Sequence, residues 1–506
     1  MRRTHLLGSA AVLLLIAAPV SAETLRDALV KAYNTNPTLS AERANVRAID
    51  ENVPIARASG LPSADLNGGY SEAVIKGPGA NSLTSPDRQL SSQANLSIPL
   101  LTFGAVHGSV NAAKTRVEAG DLTLRGTEAN LFTAVVGAYM DVIRDDAIVS
   151  LNGQNVHVLE VNLQASKDRF QVGDLTRTDV AQSEARLALA RSQMQSAQAQ
   201  LISSRENYIR LVGDAPGTLE TPPALPNLPN DPDSAVEVAL HDNPTLLASQ
   251  KSRDATKYDI EVARAGRLPR VNAVIGGNYY NYLGSLGAGT GVPVGQAGTS
   301  GTVGLSLTVP LFQGGRPAAQ VRQAQARRSQ AIEQVTETER GVISQTRSAY
   351  AIWKSSLEVI ASSETAVNAN KLSLEGVRAE NSVGNRTILD ILNAEQELLN
   401  SQVTLVTAQR DAYVAGFALL AAMGKAEARD LGLDGGALYD PTINYKRVHH
   451  QIWDFGSDPD PKPVATSTAK TPAQGSLVTK PLDPILDTPV DPAVDSSAPN
   501  HAGDVK

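Results

Sequence analysis

The sequence contains two copies of one long pattern, and this duplication limits the folds that the chain can adopt. Asn36-Pro37-Thr38-Leu39 recurs as Asn243-Pro244-Thr245-Leu246, an offset of 207 positions, and Val172-Gly173 recurs as Val383-Gly384, an offset of 211. Solenoid repeats have periods of roughly 20–50 residues, so this duplication describes two halves of one structure. Further matches share the offset of 211: Tyr139 and Tyr350, Asp179 and Asp390, Gly213 and Gly424. The four-residue difference arises between residues 62 and 99, and insertions are tolerated in exposed loops, which predicts a turn there.

Residues 1–22 have the pattern of a secretory signal peptide. Arg2-Arg3 precede an apolar run from Leu6 to Ala18, and Val20-Ser21-Ala22 form a small-residue cleavage site. A membrane anchor is the alternative, but the apolar run is too short to cross a bilayer. The pattern therefore predicts export, with a mature chain that begins near Glu23.

Composition excludes several classes of function. The chain has no cysteine, so it forms no disulfide, thiolate metal site, cysteine nucleophile or lipid anchor on cysteine. Its net charge of −7 is not that of a nucleic-acid-binding protein, which carries a basic surface to bind phosphates. His449-His450 are the one pair that suggests a metal, but without carboxylate or cysteine spacing they are interpreted as solvated. We predict no cofactor and no metal.

Proline-rich stretches divide the chain. Residues 214–233 separate the two copies and are predicted to form a semi-extended linker. Residues 425–506 form a C-terminal extension, predicted to be periplasmic. After about residue 441 this extension is rich in Pro, Asp, Ser and Thr and poor in large apolar residues, which predicts disorder.

Each copy contains a very long stretch without proline, which permits long helices. The stretch from Gly104 to Phe170 is 67 residues, or about 100 Å if it is one helix. Apolar residues recur every seven positions, which is typical of helices that supercoil on partners. They are Val135, Val142, Val149, Val156, Leu163 and Phe170 in the first copy, and Trp353, Ile360, Val367 and Leu374 in the second. The returning segments show the same period through Val180, Leu187, Met194, Leu201 and Tyr208, and through Ile391, Leu398, Leu405, Ala412 and Leu419.

A hairpin of alternating residues precedes each long helix, at residues 63–101 and 270–312. Ala94, Leu96 and Ile98 alternate with polar residues, as do Val303 and Leu305 in the second copy. An ordinary soluble hairpin is one interpretation, and a transmembrane β-barrel of strands about ten residues long is the other. Four strands cannot close a barrel, and open edges are not tolerated in lipid. A barrel therefore requires several copies of the chain.

These features predict an internally duplicated membrane protein of mixed α and β structure, with four strands and long coiled-coil helices. The first structural repeat is residues 23–213, and the second is residues 234–424. Each comprises a helix, a β-hairpin, a long helix, a tip and a return helix, with the tips at residues 172–174 and 383–385.

Three segments resemble the TolC-type outer-membrane factors. They are Arg169 to Gly173 with Thr178-Asp179-Val180, then Ser382 to Ala394, and Val309 to Gly315. The resemblance covers roughly residues 23–425. Because the chain has no cysteine for a lipid anchor, it resembles the unlipidated branch of the family. It implies a homotrimer with a twelve-stranded β-barrel on an α-helical barrel, in the Gram-negative outer membrane with a periplasmic tunnel. Such a channel is the passive exit duct of a type I secretion or tripartite efflux system. It docks to a periplasmic adaptor and an inner-membrane ABC or proton-driven pump.

The tips lie where each long helix ends and its return helix begins. Glycine there supplies the left-handed residue that ends a helix. Asp174 and Asn385, which follow the glycines, are expected to cap the return helices. The resemblance implies that the tips dock to the adaptor: Val172, Gly173, Asp174, Val383, Gly384 and Asn385.

Arg386 and Asp390 are four residues apart, which predicts a pair on one helical face. Most such pairs are solvated and contribute little. The resemblance implies more: a periplasmic gate in which Arg386 binds Asp179 and Thr178, and a luminal selectivity ring that includes Asp390. Two residues depart from the family pattern. Asn381 replaces the tyrosine that partners the first aspartate, and Asn393 replaces the second luminal aspartate, which predicts weaker cation binding.

Two other classes of protein remain as alternatives. A periplasmic coiled-coil scaffold that never enters a membrane explains the heptads but gives the hairpins no role. An enzyme is disfavoured because the sequence shows no phosphate loop, metal-ligand cluster or Ser/His/Asp arrangement.

Overall fold

The computed structural model describes residues 22–78, 80–81, 83–433 and 438–488. The signal-peptide prediction therefore lies outside the described residues, apart from Ala22. Within them the chain is mostly helical, with four strands in one sheet. The first copy forms α1 (Leu25–Thr35), α2 (Pro37–Asp50), α3 (Asn52–Ala58), β1 (Ser63–Glu72), β2 (Arg88–Leu101), α4 (Ala105–Gln171) and α5 (Arg177–Val212). The second forms α6 (Pro232–Asp242), α7 (Pro244–Ala265), β3 (Arg270–Asn281), β4 (Ala297–Thr308), α8 (Arg316–Ser382) and α9 (Ile388–Ala422), followed by α10 (Thr442–Val448).

The two longest helices confirm the prediction from proline-free heptads. Helices α4 and α8 each contain 67 residues, or about 100 Å of helix. Each packs against its return helix, α4 with α5 and α8 with α9. Helix α4 also contacts α9, so the two pairs lie side by side. The heptad residues Val135, Val142 and Val149 are buried, as are Val367 and Leu374. In the described residues, no helix has both the length and the apolar character that crossing a membrane requires.

One proline accounts for a difference between the copies. Helix α7 runs without interruption through 22 residues, whereas the equivalent segment of the first copy is divided into α2 and α3. Pro54 lies in the first turn of α3, where the second copy has Glu261. Proline lacks the amide hydrogen and its ring displaces the preceding turn, so the helix is interrupted just before it.

The repeated Asn-Pro-Thr-Leu motif joins the end of each return helix to another helix start. The Asn36 side chain accepts a hydrogen bond from Thr38 N (2.9 Å) and donates to Leu211 O (2.8 Å). Asn243 likewise accepts from Thr245 N (3.0 Å) and donates to Ala422 O (2.8 Å). One side chain thus caps the beginning of α2 or α7 and satisfies a carbonyl at the end of α5 or α9.

The repeated tyrosines attach the long helices to the linker. Tyr139 donates to Glu220 O (2.6 Å), and Tyr350 donates to Asn230 O (2.7 Å). The linker was predicted for residues 214–233, and the structure ends it slightly earlier, because α6 begins at Pro232 with Asp231 as its N-cap. Proline is favoured at the first helical position, where its missing amide hydrogen costs nothing.

The four strands form one antiparallel sheet in the order β1-β2-β3-β4. The central pair, β2 and β3, joins the two copies, and Leu96 lies opposite Ile275. Residues directly opposite one another share a face. One row on the first face is apolar: Ala64, Leu96, Ile275 and Val303. A row on the other face is polar: Asn67, Gln93, Asn278 and Ser300. The alternation predicted from sequence is therefore a two-faced sheet.

Residues 442–488 of the extension differ from the predicted disorder, and the rest of that prediction, for residues 489–506, lies outside the described residues. Residues 442–448 form α10, Asn444 donates to Asp50 Oδ2 (2.7 Å), and Val448 is buried. Farther on, Leu486 is buried, with 4% of its surface exposed, and it packs with apolar residues of the α4/α5 and α8/α9 pairs. Composition suggested that the extension lacks enough apolar residues for a core of its own, which remains true. It is ordered instead by side chains of other elements that bind it.

Asp121 of α4 lies in an acidic site near this docked extension. Burial, followed by the charges of Asp50, Asp440 and Glu118, raises the pKa of Asp121 to about 6. For a carboxyl group whose pKa rises on folding, the folded state is most favoured below the pKa of the unfolded chain, about 4, and this contribution is lost as the pH increases to about 6.

We expect Asp121→Asn to stabilise the protein at pH 8 relative to the parent, with little difference at pH 3, below the ordinary pKa of an aspartate. Asparagine stays neutral, so the folded variant does not bury the negative charge that Asp121 carries at pH 8. Thermal unfolding at both pH values, followed by circular dichroism, measures this. Asp254→Asn is the control, because Asp254 is 49% exposed. An equal effect of Asp121→Asn at both pH values would contradict the prediction.

Candidate functional site

The two tips have the same backbone structure, built on Gly173 and Gly384. Their φ angles are 83° and 82°, in the left-handed region that glycine adopts without strain. In the first tip, Asp174 N donates to Arg169 O and Gly173 N donates to Phe170 O. Asn385 and Gly384 repeat these bonds in the second. This is the Schellman arrangement, which satisfies the last carbonyls of a helix and confirms the predicted turn.

The return helices are capped by threonine, which corrects the prediction for Asp174 and Asn385. Thr176 is the N-cap of α5, and its side chain and backbone nitrogen donate to Asp179 Oδ2 at 2.7 and 2.9 Å. Thr387 is the N-cap of α9 and binds Asp390 Oδ2 at 2.8 and 2.9 Å. The helices begin two residues later than the prediction assumed. Asp174 instead pairs with Arg169 at 2.8 Å.

These caps change the acidity of both aspartates. Hydrogen bonds from the Thr176 side chain and backbone hold the pKa of Asp179 below its usual range. Bonds from the Thr387 backbone and side chain do the same to the pKa of Asp390, with a smaller contribution from Arg386. Both carboxylates are therefore charged at neutral pH.

Arg386 lies in the second tip, one residue before the helix N-cap. It therefore does not share a helical face with Asp390 as predicted, although its guanidinium is 3.9 Å from that carboxylate. Its closer partner is Glu380, at 2.7 Å. Asn381 donates to the backbone oxygen of Arg386 (2.7 Å), which fixes the turn. Within the described chain, the structure does not bring Arg386 to Asp179, and Thr178 is exposed on the first turn of α5.

Asn393 lies one turn after Asp390 and connects the two helix pairs. Its Oδ1 accepts a hydrogen bond from Arg186 of α5 at 2.7 Å. The Asp390 side chain is 36% exposed, and Asn393 is exposed. The side-chain amide of Asn393 is therefore bound to Arg186, and it adds no negative charge beside Asp390.

A buried ion pair near the tips escaped the sequence analysis. Glu395 of α9 is 5% exposed and lies 3.2 Å from Arg378 of α8, which is 17% exposed. Asn162 of α4 donates to both Glu395 oxygens, at 3.0 and 3.1 Å. Burial raises the pKa of Glu395, which Arg378 and Asn162 partly offset. The cluster therefore connects α4 to the α8/α9 pair.

The heptad pattern contained the signal for this cluster. Glu395 follows Ile391 by four residues, so it occupies the second core position of that heptad, where an apolar residue is expected. Gln402 and Gln409 occupy the same position in the next two heptads. A row of polar residues along a helical seam indicates that the seam meets something other than an apolar partner.

No group of three or more His, Asp or Glu side chains that could hold a metal is found in the described ranges. His449 stacks on Tyr445, with ring centroids 4.9 Å apart, and His450 contacts Arg57. The histidine pair therefore belongs to the contacts of the docked extension.

Comparison with known proteins establishes the family. The family model described as outer membrane efflux protein matches residues 28–214 and 235–425. The chain belongs to the outer membrane efflux protein family. The two matched segments correspond to the two copies of the duplication. The membership confirms the resemblance to TolC-type factors and places the chain in the Gram-negative outer membrane.

Relatives and solved structures agree with this membership. The outer membrane efflux protein BepC of Brucella suis is 32% identical over 428 residues, covering 84% of this chain and 90% of BepC. The outer membrane protein TolC of Escherichia coli is 27% identical over 470 residues, covering 88% and 93%. The crystal structure of the CmeC outer membrane channel of Campylobacter jejuni matches with a TM-score of 0.69 at 17% identity, covering 84% and 89%. The last comparison shows a common fold.

Proposed function

We propose that three copies of this chain form a channel with a twelve-stranded β-barrel above a tunnel of helices. The observation that carries the proposal is the sheet. In the described structure, β1 and β4 each pair on one side alone, and one face of the sheet is apolar. Val303 and Leu305 on that face are 83% and 74% exposed. Lipid tolerates neither an unpaired strand edge nor a barrel of four strands, whereas three sheets joined edge to edge remove both problems.

The channel acts as a passive exit duct for a type I secretion or tripartite efflux system. Relatives named as outer membrane efflux proteins support this role, and the proposal includes no catalytic step. The energy comes from an inner-membrane pump, reached through a periplasmic adaptor that docks to the tips. Val172 and Val383 are 80% and 70% exposed at the tips, which suits docking to an apolar partner surface. A periplasmic scaffold does not fit an outer-membrane family.

The closed end of the duct lies at the tips. We assign the gate to Thr178, Asp179, Asn381 and Arg386, with Arg386 reaching the first-copy residues across the boundary between protomers. Asp390, present three times around the pore, forms a ring of negative charge that favours cations. Asn393 adds no charge, so this ring is weaker than one with two carboxylates per chain.

Planar bilayer recording tests the proposed function. Purified protein added to one side should give discrete single-channel conductance, and mass measurement of the detergent complex should give three chains. Fractionation should recover the protein with outer membranes. Absence of conductance at both polarities, from protein that does insert, would overturn the proposal.

Arg386→Ser is expected to raise single-channel conductance. The substitution removes the guanidinium that we assign to the gate. Its matched control is Arg169→Ser, at the equivalent tip of the first copy. There Arg169 pairs with Asp174 at 2.8 Å, and both side chains are about half exposed. Equal conductance changes in the two variants would show that any tip arginine acts alike, which contradicts the assignment.

Asp390→Asn is expected to reduce cation selectivity. Asparagine keeps the oxygen that caps α9 but removes the charge. The reversal potential under a salt gradient measures this. Asp27→Asn is the matched control, because Asp27 forms the same kind of capping box at the start of α1, outside the proposed gate and ring. A reversal potential that is unchanged in Asp390→Asn would exclude Asp390 from the selectivity ring.

A further inference from the structure

The C-terminal extension crosses both helix pairs. We call residues 474–488 the strap, and we call the space between the α4/α5 pair and the α8/α9 pair the groove. The strap meets α5 at Glu206, which accepts a hydrogen bond from Gln474 N (3.2 Å). It ends at α4 and α9, where Gln154 and Gln402 bind Asp487 and Thr488 at 2.8 and 3.0 Å. The strap therefore runs along the groove toward the tips.

Buried charges bind the strap through its backbone at the upper end. Arg205 of α5 is 7% exposed and donates to Gly475 O (2.7 Å) and Leu477 O (2.8 Å). Asp146 of α4 is 6% exposed and accepts from the Thr479 and Lys480 nitrogens at 3.3 and 3.2 Å. The two charges also pair with each other at 3.1 Å. Charges are buried at a high cost unless hydrogen bonds satisfy them, and here the strap supplies several of those bonds.

The lower end is held in the same way by the second helix pair. Gln402 of α9 is 4% exposed and donates to Leu486 O at 2.8 Å. Lys371 of α8 donates to Ile485 O (2.5 Å) and Asp487 O (3.0 Å). Gln402 is one of the polar residues in the heptad seam of α9, so the strap provides the partner that this residue requires.

The middle of the strap covers a cavity. Leu482 and Leu486 pack on apolar residues of both pairs, and beneath residues 479–486 lies a cavity of about 780 Å³. Met140, Trp353, Leu357 and Tyr413 are among its lining residues. The strap is therefore anchored at its upper end on the α4/α5 pair and at its lower end mainly on the α8/α9 pair, where Gln154 of α4 also binds it. Between the two ends it spans incompletely filled space.

We propose that the groove is a binding site for an extended polypeptide, that the strap occupies it, and that this occupancy holds the two helix pairs together in the closed tunnel. The anchors recognise backbone groups, which fixes the path of the strap with little demand on its side chains. In this proposal the tip end widens when the two pairs separate, and that movement requires the strap to leave at least one anchor. The inference rests on the proposed channel function.

Truncation tests the strap in bilayers. A chain that ends after residue 473 lacks the strap, whereas a chain that ends after residue 488 keeps it and loses only residues 489–506. We expect the shorter chain to show higher open probability and to admit larger antibiotics in cells, and the longer one to match the full-length protein. If both truncated chains have the same open probability and antibiotic sensitivity as the full-length chain, the proposed role of the strap is wrong.

Lys371→Ala tests the lower anchor without removing a core side chain, because Lys371 is only partly buried and reaches the strap through its amine. We expect higher open probability and faster amide exchange in residues 479–488. Lys354→Ala on the same helix is the control, and its amine lies near the Trp353 ring. Unchanged open probability together with unchanged exchange would contradict the proposal. Loss of all conductance from the full-length chain would instead contradict the channel function.

Discussion

Replacing Arg378 by alanine is expected to destabilise the tip half of α9 by about 3–5 kcal/mol, because Glu395 then remains buried without its charged partner. Glu395 is 5% exposed, so water cannot replace the guanidinium. At about 1.4 kcal/mol for each factor of ten, amide exchange in α9 should accelerate by about two to four orders of magnitude. Native-state hydrogen exchange of peptides between residues 388 and 402 measures the loss.

The pH dependence of Arg378→Ala distinguishes a charge effect from a packing effect. Without Arg378, the pKa of Glu395 rises further above its already raised value. Protonation removes the buried charge, so the loss of stability should be largest at pH 8 and should shrink at pH 5. A loss independent of pH would indicate packing alone.

Two controls accompany this variant. Arg191→Ala breaks a pair with Glu160 whose side chains are 57% and 44% exposed, and exposed pairs contribute about 0–1 kcal/mol. The double variant Arg378→Ala with Glu395→Leu removes both charges, and we expect it to recover much of the stability lost in the single variant. Failure to recover would mean that the Arg378 side chain acts mainly through its contacts.

Gly424→Ala is expected to prevent accumulation of correctly folded protein. Gly424 has a φ of 73°, and a Cβ there would lie 2.7 Å from the carbonyl carbon of Asp242 and still closer to its oxygen. Backbone atoms on both sides cannot move aside, because Asn243 binds Ala422 O at the same junction. We expect a loss of about 4 kcal/mol or more, in the range reserved for backbone strain and overpacking.

The duplication supplies the matched control for this substitution. Gly213 occupies the equivalent position, with a φ of 87°, but a Cβ there meets the side-chain oxygen of Thr35 at 3.1 Å. Gly213→Ala should therefore incur mainly the cost of a left-handed residue, about 1–2 kcal/mol. Expression, heat stability in detergent and thermal unfolding of the two variants test the difference. Equal losses of stability in the two variants would show that the close contact with the Asp242 backbone adds no further destabilisation.

The sequence was sufficient for the long helices, the strands and the tip turns because each has a strong local signal. Missing prolines and a seven-residue period specify the helices, and glycine specifies the left-handed residues of the tips. The first residues of the return helices α5 and α9 were harder to predict from the sequence. Thr176 with Asp179, and Thr387 with Asp390, form the Thr-x-x-acid pattern of a capping box, which locates the N-cap better than the nearest polar residue does.

Long-range contacts explain what the sequence analysis missed. Glu395 and Arg378 lie on different helices, and Asn162 lies more than 200 residues away from them in the chain. Composition alone predicts disorder for the strap, because its residues cannot form a core of their own. Its order comes from Arg205, Asp146 and Gln402, whose roles become apparent when the helices that carry them are placed side by side.

Helices α4 and α8 have the same length. Each has 67 residues, and the four-residue difference between the copies falls in the hairpins. A deletion of one heptad from α4 alone would shorten it by about 10 Å, so the two long helices would no longer match in length. The length from the sheet to the tips is thus set twice in one chain, and it can change evenly only when both copies change together.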